Sequence, residues 1–209
     1  MTRIHRTAPL FALLPLLAAC VGGDETQDLS SQVEGVPEGA ESLLVAGGCF
    51  WCVEADFEKK EAVYEVVSGY AGGETPDPTY KTYEAGGHRE VARIYYDPER
   101  TDYETLVRDF LRTVDVTDAG GQFCDRGYGY TTAVYYESEA EREAARAALA
   151  EAERQLGQEV VTDLAAEPDF TAAEAYHQDY YEKNPLAYRY YRTSCGRDAR
   201  LEELWGTEA

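Results

Sequence analysis

The apolar run Leu43, Leu44, Val45, Ala46 stops at two glycines, and Cys49 follows at once, opening a stretch to Lys60 that holds Phe50, Trp51, Val53 and Phe57 among acidic residues. A short continuous apolar run closed by glycine reads as a buried strand, and the stretch behind it as a helix. Such a corner requires helix packed on sheet, and the rest of the chain repeats the alternation. Residues 62–70, 90–96, 131–136 and 159–164 read as further strands, and residues 72–80, GGETPDPTY, as turns. Thr101 with Glu104 forms a capping-box signature before Tyr103, Leu106, Val107, Phe110, Leu111 and Val114 at helical spacing. Ser138 with Glu141 and Thr171 with Glu174 repeat it, predicting helices to about Gln155 and Glu182. Interleaved strands and helices imply an α/β or α+β layered domain with a mixed sheet and covering helices.

The first residues stand apart from this domain. Arg3 and Arg6 precede an apolar run over residues 10–19, too short to span a bilayer and right for the core of a secretory signal. It ends Leu17, Ala18, Ala19, Cys20, which resembles the lipobox of bacterial lipoproteins, so residues 1–19 are expected to be removed and Cys20 to carry lipid. An ordinary signal cleaved near Ala19, with Cys20 incidental, is the plainer alternative. Residues 20–41 are acidic, rich in Gly and Ser and without aromatics, which reads as a flexible tether, and residues 42–209 as one domain. The expected location is the cell envelope, on the periplasmic or extracytoplasmic face, with membrane contact only through the anchor.

Forty acidic against 19 basic residues give a formal charge of -21, which repels nucleic acid and anionic lipid surfaces. Five cysteines are too few for a disulfide scaffold in 209 residues, so each needs its own reason. Cys49 at a helix start faces free amides and the positive dipole end, which stabilise a thiolate and predict a lowered pKa. Zinc needs about four ligands, whereas there is a single Cys-x-x-Cys and Cys124 and Cys195 stand alone, so no metal is expected. A thioredoxin-like dithiol uses the same spacing, though with two bulky aromatics between the cysteines here. A structural disulfide is the simplest reading for an exported protein, but explains neither the glycines nor the aromatics. The functional rivals that follow are an exported dithiol-disulfide oxidoreductase and a lipoprotein binding module.

The segment Gly48, Cys49, Phe50, Trp51, Cys52 and Glu54 resembles the hallmark of the A-type peptide methionine sulfoxide reductases. The likeness continues through residues 68–80, SGYAGGETPDPTY, residues 87–98, GHREVARIYYDP, residues 125–130, DRGYGY, and residues 176–185, YHQDYYEKNP. The resemblance implies an α/β fold, an α+β two-layer sandwich with a ferredoxin-like core, and an enzyme that returns the S epimer of methionine sulfoxide, protein-bound or free, to methionine. It binds no cofactor, takes electrons from a thioredoxin-like protein or dithiol, and acts as a monomer on oxidised proteins or peptides. Cys49 would attack the sulfur and become a sulfenic acid that a second thiol resolves. Glu90 would be the acid, kept protonated by burial. Tyr80 and Tyr130 would hydrogen bond the sulfoxide oxygen, Phe50 and Trp51 would enclose the methyl group, and Asp125 would orient substrate or water. His88 and His177 match recurring positions without a chemical step and are read as structural; Glu54 is either a site carboxylate or a helix-face charge.

Two departures bear on reoxidation. Val114, Asp115, Val116 stand where many members have His-Asp-Pro, and Thr193, Ser194, Cys195, Gly196 lead into a short helix ending at Trp205 in place of the common glycine-rich tail. Three thiols remain as resolving candidates. Cys195 ranks first by position, Cys52 second as a neighbour on the same helix, and Cys124 third, either in relay with Cys195 or bridged to it. Met1 is the single methionine, so removal of the signal would leave none.

Overall fold

The computed structural model describes Val33 and residues 35–206. The signal, Cys20 and most of the tether lie outside the described residues. Strand β1 (Glu41–Gly47) leads into helix α1 (Phe50–Phe57), then β2 (Val63–Ala71), β3 (Arg89–Tyr96) and α2 (Tyr103–Arg112). A small hairpin, β4 (Gly121–Gln122) and β5 (Asp125–Arg126), and a 3-10 turn at Tyr128–Tyr130 precede β6 (Thr132–Tyr136) and α3 (Glu139–Leu156). Then come β7 (Asp163–Ala166), β8 (Phe170–Ala172), α4 (Tyr180–Lys183), α5 (Pro185–Ser194) and α6 (Arg197–Trp205).

The main sheet runs β7-β6-β1-β3-β2-β8, with β6 and β7 parallel and the other neighbours antiparallel. Its central order β6-β1-β3-β2, built from a β-α-β-β-α-β path, is the ferredoxin-like arrangement that the family resemblance implied. Side chains alternate across β1: Leu43 and Val45 enter the large core under α1, α2 and α3, while Leu44 and Ala46 join Val91, Ala133 and Tyr135 on the other face. The helix α2 buries Leu106, Val107, Phe110 and Leu111 on one stripe, and α3 buries Ala145, Ala148 and Ala152, small enough to let it approach closely.

Local signals were honoured where no tertiary partner competed. Ser138 and Glu141 form the reciprocal capping box of α3, which ends at Gly157 in the left-handed conformation. At α2 the cap is Asp102 rather than Thr101: its carboxylate accepts the Thr105 N–H at 2.8 Å, one position later than the signature suggested. The helix expected from Thr171 does not form. Residues 170–172 instead pair as an edge strand with Gly69–Ala71, and Glu174 accepts from Tyr70 OH at 2.9 Å and Tyr80 N–H at 3.1 Å. The strand expected over 159–164 starts only at Asp163. Helix α4 ends at Lys183, and after Asn184 Pro185 opens α5, where its missing N–H costs nothing.

Candidate active site

The chain leaves β1 through Gly48 at φ 76°, and Cys49 caps α1. A Cβ on Gly47 would lie 2.6 Å from Val53 Cγ2, and one on Gly48 2.5 Å from Gln122 Cβ, so the corner admits only glycines. Gln122 cannot yield. It is fully buried, accepts the Asp115 N–H at 2.8 Å and donates to the Asp115 and Gly121 carbonyls at 2.8 and 2.9 Å. Arg197 braces the same corner, donating to the carbonyls of Gly47 and Thr113 beneath the Phe123 ring.

Cys49 and Cys52 are free and buried, 5% and 1% exposed, and hydrogen bonded to each other. The expected low pKa of Cys49 is not what the surroundings produce. Burial pushes its thiol up, reinforced by the bond to Cys52 and the nearby Glu90 carboxyl. The first free amide of α1, Phe50 N–H, points instead at Glu90 Oε2, 3.0 Å away. Cys52 is the lower member of the pair, at about 7, because it accepts from Cys49 and lies near Arg197 and Arg192.

Glu90 is 2% exposed, and burial pushes its carboxyl up to about 8, against the bonds it accepts from Phe50 N–H and Tyr83 OH. It is therefore a neutral acid near pH 7. Tyr83 stacks between Tyr70 and Tyr80, with centroids at 5.1 and 6.1 Å, and its hydroxyl meets that of Tyr130. Tyr80 stays 42% exposed at the mouth. Burial raises the hydroxyl pKa of Tyr80 and Tyr130, so both remain proton donors.

Cys49, Phe50, Trp51, Tyr80, Glu90, Asp125, Tyr130 and Tyr191 line one cavity of about 70 Å³. At roughly 10–15 Å³ of such space per water, it takes a group of a few heavy atoms. Seven of the eight are residues the sequence singled out. The eighth, Tyr191, comes from α5; its hydroxyl donates to Asp125 Oδ2 and also bonds the Cys49 sulfur. No motif marked Tyr191 or Tyr83 among 17 tyrosines. Cys124 and Cys195 form a disulfide spanning 71 residues that ties the Asp125 hairpin to the end of α5. Cys195, the first-ranked resolving candidate, is bridged to Cys124 in this state, the pairing the sequence reading had allowed for them, whereas the second-ranked Cys52 is a free thiol beside Cys49.

The remaining candidates lie behind the cavity. His88 bonds the turn-rich loop through Gly73 N–H and Thr75. Glu54 is no helix-face charge: it is fully buried, pushed up to about 8 by burial, and accepts the Asp179 N–H at 3.1 Å. Glu58, Glu65 and Asp179 bring carboxylate oxygens within 4.8 Å of one another outside the cavity, with Lys183 on Asp179 at 2.9 Å. Two wider clefts, of about 470 and 550 Å³, are walled by charged residues such as Arg192 with Asp198 and Arg93 with Glu167, and contain no thiol.

Comparison with known proteins agrees with this geometry. The family model described as peptide methionine sulfoxide reductase matches residues 41–209. Peptide methionine sulfoxide reductase MsrA 2 of Rhizobium meliloti is 49% identical over 166 residues, 79% of this chain and 84% of that protein. Among solved structures, methionine sulfoxide reductase A of Corynebacterium diphtheriae superposes with a TM-score of 0.68 at 27% identity, covering 72% of this chain and 77% of its own. Reduced Mxr1 of Saccharomyces cerevisiae gives 0.67 at 27% identity, over 70% and 87%. Mxr1 was also solved in complex with Trx2; that structure, at 20% identity, 71% and 89% coverage and a TM-score of 0.51, shows likeness of fold alone.

Proposed function

The chain belongs to the peptide methionine sulfoxide reductase family, an oxidoreductase family, and from that premise we propose that it reduces the S epimer of methionine sulfoxide, protein-bound and free, through Cys49 and Glu90. The observation that carries this reading is a neutral buried carboxylic acid and a thiol lining one small aromatic cavity. Glu90 gives its proton to the sulfoxide oxygen, which Tyr80 and Tyr130 also hydrogen bond, and the sulfur becomes electrophilic. Cys49 attacks that sulfur; Glu90, now a carboxylate, takes up the thiol proton and restores its acid form. Phe50 and Trp51 enclose the methyl group, and Asp125, held by Tyr191, orients the substrate. The oxygen passes to Cys49 as the thioether leaves, so that thiol and sulfoxide become sulfenic acid and methionine, with two electrons moved from Cys49 to substrate sulfur.

Cys52 is the resolving thiol in this scheme. Its sulfur attacks the sulfenic sulfur, water leaves, and a Cys49–Cys52 disulfide remains. A dithiol must then reduce that bond, and a thioredoxin-like protein is the proposed donor, in keeping with Mxr1, 27% identical in its reduced form and itself solved in complex with Trx2. Replacing Cys49 by Ser tests the assignment: single-turnover methionine production should vanish, and substantial residual turnover would sink it. Insulin-type disulfide reduction without sulfoxide turnover would favour the dithiol oxidoreductase instead.

The proposed location is the cell envelope, as a lipoprotein leashed through Cys20. This rests on Arg3, Arg6, the apolar residues 10–19 and the Leu-Ala-Ala-Cys ending. Among the described residues no helix is long and apolar enough to cross a membrane. Labelled fatty acid should enter the wild-type chain and not Cys20→Ser; equal labelling would remove the anchor.

A further inference from the structure

Trp51 stands at the cavity with one polar atom, its indole N–H, and that hydrogen goes to His177 Nδ1, 3.2 Å away. Tyr180 lies flat on the indole, with centroids 3.8 Å apart and planes within 9°. The imidazole is 2% exposed and also meets Phe50 and Tyr80, at centroid distances of 5.0 and 4.7 Å. His177 Nε2 has no hydrogen-bond partner. A ring placed merely to fill space would not aim its one engaged nitrogen at the single polar atom of a cavity wall.

The segment bearing His177 and Tyr180 is itself pinned. The Gln178 amide exchanges two bonds of 2.9 Å with the Ser68 backbone, copying a strand pair beside β2. Next along, the Asp179 N–H donates to the buried Glu54, whose carboxyl also accepts from Ser68 Oγ. Glu54 lies on α1, one turn after Trp51, so the helix that carries the indole also anchors its clamp.

We propose that His177 is a positioning residue, which by accepting the Trp51 indole N–H holds that ring, together with Tyr180, as a rigid wall of the substrate cavity. The proposal rests on the assignment of Trp51 to the methyl pocket. A free indole can turn about two side-chain bonds, so loss of the acceptor widens the pocket and leaves a buried N–H unpaired. Substrate binding should suffer more than the chemical step, since Cys49 and Glu90 do not touch the imidazole nitrogens.

The test compares His177→Phe, which keeps an aromatic ring without an acceptor, with His177→Gln, which restores an acceptor oxygen. Single-turnover kinetics with a peptide methyl sulfoxide should show KM raised about tenfold in His177→Phe with the saturating rate within about threefold, and recovery toward wild type in His177→Gln. An unchanged KM, or equal defects in both variants, would overturn the proposal. In the wild-type protein, nitrogen spectra should show His177 bare at Nδ1 and protonated at Nε2; a proton on Nδ1 overturns the proposal whether or not the variants fold. If Cys49→Ser kept its activity, the mechanistic reading would fail while the spectra still reported on the indole bond.

Discussion

Replacing Glu90 by Gln removes one titration, and the consequence for stability should vary steeply with pH. Burial holds the Glu90 carboxyl at about 8, against 4.5 for a free one. Below the unfolded value the folded and unfolded chains both carry the proton, and the stabilising difference is fully present. Between the two values the unfolded chain has released its proton while the folded chain keeps it, so each pH unit removes about 1.4 kcal/mol of stability. Across the window the loss approaches about 5 kcal/mol and is complete once pH has risen through the folded pKa. Glu54 is also held at about 8 and Glu58 at about 7, but both titrate in wild type and variant alike and cancel in the difference. Gln can still accept the Phe50 N–H. Urea denaturation at intervals from about pH 5 to about pH 8.5 should therefore show Glu90→Gln gaining on wild type by several kcal/mol as pH rises. Single-turnover rates should show the variant about 100-fold slower at neutral pH, and the wild type falling above about pH 8 as the acid form is lost. Parallel stability curves would refute the claim that folding keeps this carboxyl neutral.

The other predictions concern the thiols and the corner. Cys52→Ser should still form methionine in one turnover but accumulate a sulfenic acid open to dimedone, whereas Cys195→Ser should still yield the Cys49–Cys52 disulfide on peptide mapping; the reverse pattern would restore Cys195 as resolver. Breaking the Cys124–Cys195 bond, which closes a 71-residue loop, should lower stability by about 4 kcal/mol in denaturant titrations. Gly48→Ala places a Cβ 2.5 Å from Gln122 at a positive φ. A loss of about 1–3 kcal/mol, with slowed turnover from a displaced Cys49, is the expected result, and unchanged melting would show that the corner yields.

Much of the site was legible because its chemistry is written in contiguous residues. The Gly-Gly-Cys corner places Cys49, Phe50 and Trp51 together with no reference to the rest of the chain, whereas Glu90, on a strand buried along its whole length, was singled out only by the family resemblance. Thr171 shows the limit of such reading: a local capping signal lost to backbone pairing with β2, which is worth more than one cap. The roles of Tyr83 and Tyr191 were invisible, since each depends on a partner brought from elsewhere: Glu90 for one, Asp125 and Cys49 for the other.

The sequence by itself determined the strand-to-helix corner and the layered fold, because periodicity and glycine sterics act over a few residues, and it marked Cys49 by its place at that corner and Glu90 through the family resemblance alone. Which groups are charged was decided by tertiary structure. An isolated helix start would lower the Cys49 pKa, yet folding closes Glu90 over the first free amide, removes water from both groups and pairs the two thiols. Desolvation is a property of the assembled core, summed over residues far apart in the chain, and no local pattern encodes it.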